Sequence, residues 1–278
     1  MPIQYLKQIQ LGKFNNNGYR IAPSQEVESI VEGFYVFSSD QTEDSHLIFN
    51  DGFPVLVFLP GIDDSITITT ESNTFDVKSA WASAGAIRNV YVKYNVHADQ
   101  VFVIRFHPGA FYQLFGLDTQ HFRYKPIIPF AEIAETCGFK LTDFFNCSSI
   151  NDKVGFAESH IQNSFSGIKT PDVLHQSLNY IRNTKGQSTV QNVTRDIGVN
   201  YKWLERNFAK NIGLLPKEYI LLQRFLHTYI ELVDSKGTDL MFVAISNGYY
   251  DYNHFLKDFK AYTGKAPLEY LKFRQSFC

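Results

Sequence analysis

Residues 248–270 read GYYDYNHFLKDFKAYTGKAPLEY. A glycine, a polar and aromatic stretch, an apolar-spaced run, a second glycine, a proline and a tyrosine follow one another closely. Upstream, residues 198–219 read GVNYKWLERNFAKNIGLLPKEY. Both contain the frame F-x4-G-x2-P-x-E-Y. Phe208, Gly213, Pro216, Glu218 and Tyr219 return 51 residues later as Phe259, Gly264, Pro267, Glu269 and Tyr270. The chain therefore carries one unit twice.

Each copy predicts two short helices joined by a sharp turn. In the first, Ser188 followed by Gln191 suggests a capping box, and Val190, Val193 and Ile197 form the buried stripe. Gly198 permits the positive φ of a tight exit turn, and Asn200 caps a second helix with Leu204 and Phe208 on its inner face. In the second copy, Asp239 or Thr238 caps a helix through Val243 and Ser246. Gly248 makes the turn, and Asp251 caps a helix with Phe255, Phe259 and Tyr262 inward. Between the copies, residues 217–234 predict one amphipathic helix, about 27 Å long at 1.5 Å per residue.

Two short helices with a tight turn are the helix-turn-helix plan, whose second helix fits the DNA major groove. Residues facing away from the apolar stripe are then free to meet DNA. In the first copy these are Tyr201, Lys202, Glu205, Arg206 and Lys210; in the second, Tyr252, Asn253, His254, Leu256, Lys257 and Lys260. Arginine donates two bonds to guanine, asparagine pairs with adenine, and glutamate accepts from cytosine. The lysines suit phosphates, which fix position rather than sequence. Two reading helices on one rigid scaffold would enter successive grooves about 34 Å apart, on a site of roughly 16–20 bp.

The chain of 278 residues is long enough for two domains of roughly 100–200 residues. Residues 1–169 hold 12 Lys+Arg against 18 Asp+Glu, whereas residues 170–278 hold 14 against 10. An acidic first part followed by a basic second part suits a second part that meets a polyanion. Ser, Gly, Thr and Pro cluster in residues 164–173, as in a linker. The expected domains are 1–165, acidic and β-rich, and 166–278, basic and helical. Thr170 is expected to cap a helix starting at Pro171, with Leu174, Leu178 and Ile181 on one face and Gly186 closing it.

The first part reads as short strands at residues 31–39, 46–50, 54–61, 65–71, 90–97 and 101–109. They are rich in Val, Ile, Phe and Tyr and separated by turn signals such as Asn50-Asp51-Gly52. Helical patterns follow at 109–116, 129–138 and about 152–165. The fold class is α+β: a β-barrel or sandwich with some helices, then an all-α domain of two helix-turn-helix units joined by a long helix.

Composition excludes several classes. The three cysteines, Cys137, Cys147 and Cys278, form no CxxC pair, so neither a disulfide framework nor a zinc site is expected. No secretory h-region and no run of about 18 apolar residues is seen, which argues against secretion and a membrane helix. His46, His97, His107 and His121 are scattered, with no H-x-H arrangement, and G-x-S-x-G, GxGxxG and P-loop motifs are missing. No catalytic residue, metal or cofactor is expected, and the protein is read as a non-enzyme. For a small ligand the candidates are Trp81, Arg105 and His107. Arg105 could receive a carboxylate, and Trp81 could wall a pocket. The plainer alternative pairs Arg105 with Asp51 and buries Trp81 in a core.

Residues 172–274 resemble the DNA-binding domain of the AraC/XylS family of bacterial transcription regulators. The resemblance lies in Gly248-Tyr249-Tyr250-Asp251-Tyr252-Asn253-His254-Phe255, then Phe259-Lys260, Gly264 and Pro267. In the first copy it lies in Leu204-Glu205-Arg206, Phe208, Gly213, Pro216 and Tyr219. Asn253 stands where serine is common. Residues 31–133 resemble, through residues 50–58 and 105–110, the N-terminal domain of some such regulators, which implies a cupin-like barrel for sensing or dimerisation. The resemblance implies a sequence-specific regulator in the cytoplasm, associated with the nucleoid and not with membranes. Its implied partners are double-stranded DNA, RNA polymerase if it activates, an effector molecule and a second copy. The competing reading is a cupin-like, metal-dependent or ligand-modifying barrel whose helical tail docks a protein.

Overall fold

The computed structural model describes residues 1–14, 18–38, 45–95, 100–164, 167, 170–234 and 239–275. His97, Thr238, Cys278 and linker residues 165, 166, 168 and 169 lie outside them. The chain begins with α1 (Ile3–Leu11), β1 (Gly18–Ile21), β2 (Val31–Ser38), β3 (His46–Leu47), β4 (Val55–Phe58), β5 (Ser65–Thr69), β6 (Thr74–Lys78), β7 (Ala80–Ser83), β8 (Tyr91–Tyr94) and β9 (Gln100–Phe106). There follow α2 (Ala110–Leu114), α3 (His121–Tyr124), β10 (Ile127–Pro129), α4 (Ala131–Ala134), α5 (Leu141–Phe145) and α6 (Ile150–Ser164). The remainder is helical: α7 (Asp172–Asn183), α8 (Val190–Ile197), α9 (Tyr201–Ile212), α10 (Pro216–Asp234), α11 (Leu240–Ser246), α12 (Tyr252–Thr263) and α13 (Pro267–Gln275).

The strands form two antiparallel sheets. One has the order β1-β2-β9-β4-β7-β10, the other β3-β8-β5-β6. Strands β4 and β7 are buried at every position and β9 at all but its first, so the larger sheet is covered on both faces. This explains why its strands read as continuous apolar runs rather than as alternation. On one face, Phe34, Leu56, Phe58, Phe102 and Phe106 pack on α2–α6 through Phe111, Phe122, Phe130 and Phe144. On the other, Tyr35, Val57, Trp81 and Val103 meet Ile66, Ile68 and Val92 of the smaller sheet.

That second core does not stop at the sheets. It continues into α7–α13 through Leu178, Leu204, Phe225, Phe255 and Phe259. Eleven of the 19 residues of α10 are buried, far more than one stripe of an amphipathic helix. The two parts of the chain thus share one apolar cluster.

Local chemistry corrects some details. Thr189, not Ser188, caps α8, accepting from the Asn192 N–H at 3.2 Å. Helix α7 starts at Asp172 with Pro171 in the capping position, and the buried Thr170 hydroxyl has no partner among the described residues. Seven elements were not read from the sequence: α1, β1, β6, β7, α3, β10 and α5. Strand β7, Ala-Trp-Ala-Ser, has weak β-propensity, and pairing with β4 and β10 makes it a strand.

One buried charge cluster sits at the end of β9. Arg105 is 1% exposed. Its Nη2 donates to Asp51, and its Nη1 lies 3.0 Å from Glu32. Burial alone would lower its pKa; the Asp51 and Glu32 carboxylates outweigh burial and raise it. The guanidinium also stacks 3.9 Å from the centre of the Phe53 ring. Arg105 is therefore occupied in a structural pair, and Trp81 is a fully buried core residue. The plainer of the two sequence alternatives describes both.

Removing one member of a buried pair strands the other charge. Arg105→Met is expected to lower unfolding free energy by about 3–5 kcal/mol, measured by denaturant titration. Adding Asp51→Asn to that variant should recover part of the loss, because the more deeply buried of the two carboxylates left by Arg105 is then neutral.

Candidate nucleic-acid interface

Helices α8 and α9 meet at a turn containing Gly198, and α11 and α12 at one containing Gly248. Each second helix is held at its start by a side chain. Asn200 accepts from Trp203 N–H at 2.8 Å, and Asp251 from His254 N–H at 2.8 Å. These bonds satisfy otherwise orphaned first-turn donors, each worth about 1 kcal/mol. The His254 and Asn253 backbone bonds, with the His254 side chain, hold the Asp251 carboxyl below its ordinary pKa. Inward, Leu204 and Phe208 of α9 and Phe255 and Phe259 of α12 are fully buried.

The outward faces carry most of the expected reading residues. On α9, Tyr201, Lys202, Arg206 and Lys210 are exposed and Glu205 is half-buried. The Tyr201 hydroxyl donates to Glu205 Oε1 at 3.1 Å, tying two of these side chains together. On α12, Asn253, His254, Lys257 and Lys260 are exposed. Tyr252 and Leu256 are half-buried, and Tyr252 packs on the core with its ring 5.9 Å from Phe255. The frame spacing was legible, but which flank of α12 turns inward depends on α11.

Some exposed residues were missed. Tyr250, in the turn before α12, is 88% exposed, with its ring edge-on to His254 at 6.1 Å. Met241, Phe242 and Ile245 expose an apolar face on α11, where α8 instead presents Gln191 and Arg195. The first helix of the second unit is therefore the more apolar of the two on its exposed face.

The second helices of the two units, α9 and α12, are also fixed at their other ends, by the first half of the chain. At the end of α9, Thr119 donates to Ala209 O at 2.9 Å and Tyr112 to Ile212 O at 3.3 Å. At the end of α12, Asn89 N–H donates to Tyr262 O at 2.8 Å and the Tyr91 hydroxyl to Thr263 O at 2.6 Å. Helix C-termini leave carbonyls without intrahelical donors, and these bonds satisfy them. Gly213 and Gly264, with φ of 76° and 73°, close the two helices. Both lie against the clamp: a Cβ at Gly264 would overlap Asn89, and one at Gly213 would crowd Thr119 and Tyr112. The connecting helix is held too, since Gln223 Nε2 donates to Asp51 O at 2.6 Å. No spacing rule in the sequence reveals these contacts, which join residues far apart in the chain.

Of the ligand candidates, His107 is half-buried, 6.2 Å from the Phe53 ring, and burial lowers its pKa. Among the described residues, no group of three or more His, Cys, Asp or Glu side chains is placed to hold a metal ion, and no helix is long and apolar enough to cross a membrane.

Residues 193–272 match the family described as a helix-turn-helix domain, and residues 19–127 match a domain of unknown function, DUF6597. No curated protein matches the chain. Similar solved structures include ToxT from Vibrio cholerae, 13% identical, covering 92% of this chain and 98% of that one with a TM-score of 0.44. Another is unsaturated fatty acid bound ToxT from Vibrio cholerae strain SCE256, at 11%, 93%, 96% and 0.45. A third is the AraC-like transcriptional activator CuxR, at 12%, 77%, 86% and 0.24. The domain match and the paired units carry the assignment. Residues 193–272 form a helix-turn-helix domain behind a β-rich first half.

The clamps make a separable prediction. A hydrogen bond is worth about 1 kcal/mol net, or roughly a fivefold change in local opening. Tyr91→Phe should speed amide exchange in the last turn of α12 and spare α9; Thr119→Val should do the reverse. Hydrogen exchange read by mass spectrometry distinguishes the two, and equal exchange in both variants would count against the clamps.

Proposed function

We propose that the chain reads a long DNA site with two heads at once. Tyr201, Lys202, Glu205, Arg206 and Lys210 serve the first groove; Asn253, His254, Lys257 and Lys260 serve the second, with Tyr252 and Leu256 at its edge. Arg206 and Asn253 are assigned to base edges, and the lysines to phosphates. The observation that carries this reading is the pair of exposed, cation-bearing helix faces fixed to one buried connecting helix.

The first half, bounded near residue 165, is assigned the controlling role, as sensor of a small effector and as site of dimerisation. It bonds to the ends of both reading helices, so a change in its shape would alter their relative position. Control by a distant site requires such a differential contact. In this reading the chain works in the cytoplasm on the nucleoid, catalyses nothing itself, and meets RNA polymerase where it activates.

Selection of bound duplexes from a random library, using the full chain at two salt concentrations, tests the reading. A two-part motif should emerge, with affinity falling steeply as salt rises. Arg206→Ala should cost about 1–3 kcal/mol and relax preference at one position; Lys257→Ala should weaken all sequences alike and reduce the salt slope by about 1. Uniform weakening by Arg206→Ala would move that residue to the phosphate class. An unchanged motif in Asn253→Ala would remove it from base reading.

A further inference from the structure

Between the two clamps lies a concavity of about 370 Å³, to which both halves contribute. Arg88, Gln120 and Arg123 line it from the first half; Gly213, Leu215 and Glu218 line it from the α9–α10 junction. Its volume falls within the roughly 300–1,000 Å³ range of small-molecule sites.

The charges in it are unbalanced. Glu218 is the carboxylate of this lining, and it already accepts from Leu215 N–H at 2.8 Å. Among the described residues, neither Arg88 nor Arg123 lies within ion-pair distance of a carboxylate. Arg88 sits 5.8 Å from the centre of the Tyr262 ring, at the clamped end of α12, hydrogen-bonds the Tyr262 hydroxyl and acts on Asp258 only at longer range, so its nearest polar partner is neutral. Two guanidinium groups that line one concavity repel each other. Their complement is a small molecule with two negative charges, since the planar fork of arginine matches the paired oxygens of a carboxylate or a phosphate.

We propose that this concavity binds a small organic dianion, a dicarboxylate or a phosphate monoester, bridging Arg88 and Arg123. Bound there, it draws the first half onto the α9–α10 junction and, through Arg88, onto the end of α12. The regulatory consequence rests on the controlling role assigned to the first half; the binding itself does not. The competing role for the two arginines is to face the negative end of α9, which needs no ligand.

Isothermal titration calorimetry on the full chain, without DNA, separates the two. The probes are succinate and inorganic phosphate, each titrated at constant ionic strength against chloride. Saturable one-to-one binding of either probe is expected, and the stronger probe identifies the anion class. Arg123→Gln and Arg88→Gln should each weaken that binding at least tenfold, while Arg195→Gln, an exposed arginine on α8, should leave it unchanged. Arg123 is exposed and makes no ring contact among those described, so its variant is expected to fold; circular dichroism checks this. No saturable binding by either probe, or equal binding in all three variants, would overturn the site. Saturable binding in a chain that selects no DNA motif would keep the site and remove the regulatory reading.

Discussion

The packing of Phe225 ties the whole molecule together. It lies in the middle of α10, with its ring 5.2 Å from Phe49 of the first half, 5.8 Å from Phe259 and 4.4 Å from Tyr262 of α12. A fully buried phenylalanine contributes about 1.5–3 kcal/mol through burial alone. Here that energy is spent on an orientation as well as on stability. The connecting helix cannot turn or shift without opening contacts to the first half and to α12. Burial on nearly all sides is what makes α10 a scaffold rather than a spacer.

The polar contacts add geometry to this apolar anchor. Gln223 reaches from α10 to the backbone of Asp51, whose side chain in turn pairs with Arg105. Phe53 lies between Arg105 and Arg182, the latter 4.6 Å away on α7. A buried charge cluster of the first half thus borders the helices of the second. The clamps at the ends of α9 and α12 lie further out, where single hydrogen bonds to helix-end carbonyls fix direction at little cost. Apolar contacts hold the halves together, and polar contacts set their angle.

Much of this was legible in the sequence, for stated reasons. The repeated frame gave both helix-turn-helix units, because glycine at a helix end and proline at the next start constrain the backbone locally. The caps Asn200 and Asp251 followed from the same local chemistry and are observed, and of the two residues offered for α11, Asp239 is the cap. Strands rich in Val, Ile and Phe were read where both faces are buried, and β7 was missed because alanines carry no strand signal. Arg105 and Trp81 drew attention as ligand candidates because burial and pairing depend on partners elsewhere in the chain. The clamps were illegible for the same reason: Thr119 and Tyr91 become informative only once α9 and α12 lie beside them.

Hydroxyl-radical footprinting of the full chain on a selected duplex tests the two-headed account most directly. The account predicts two protected patches on one face of the duplex, about 34 Å or one helical turn apart. One patch, or two patches on opposite faces, would contradict it.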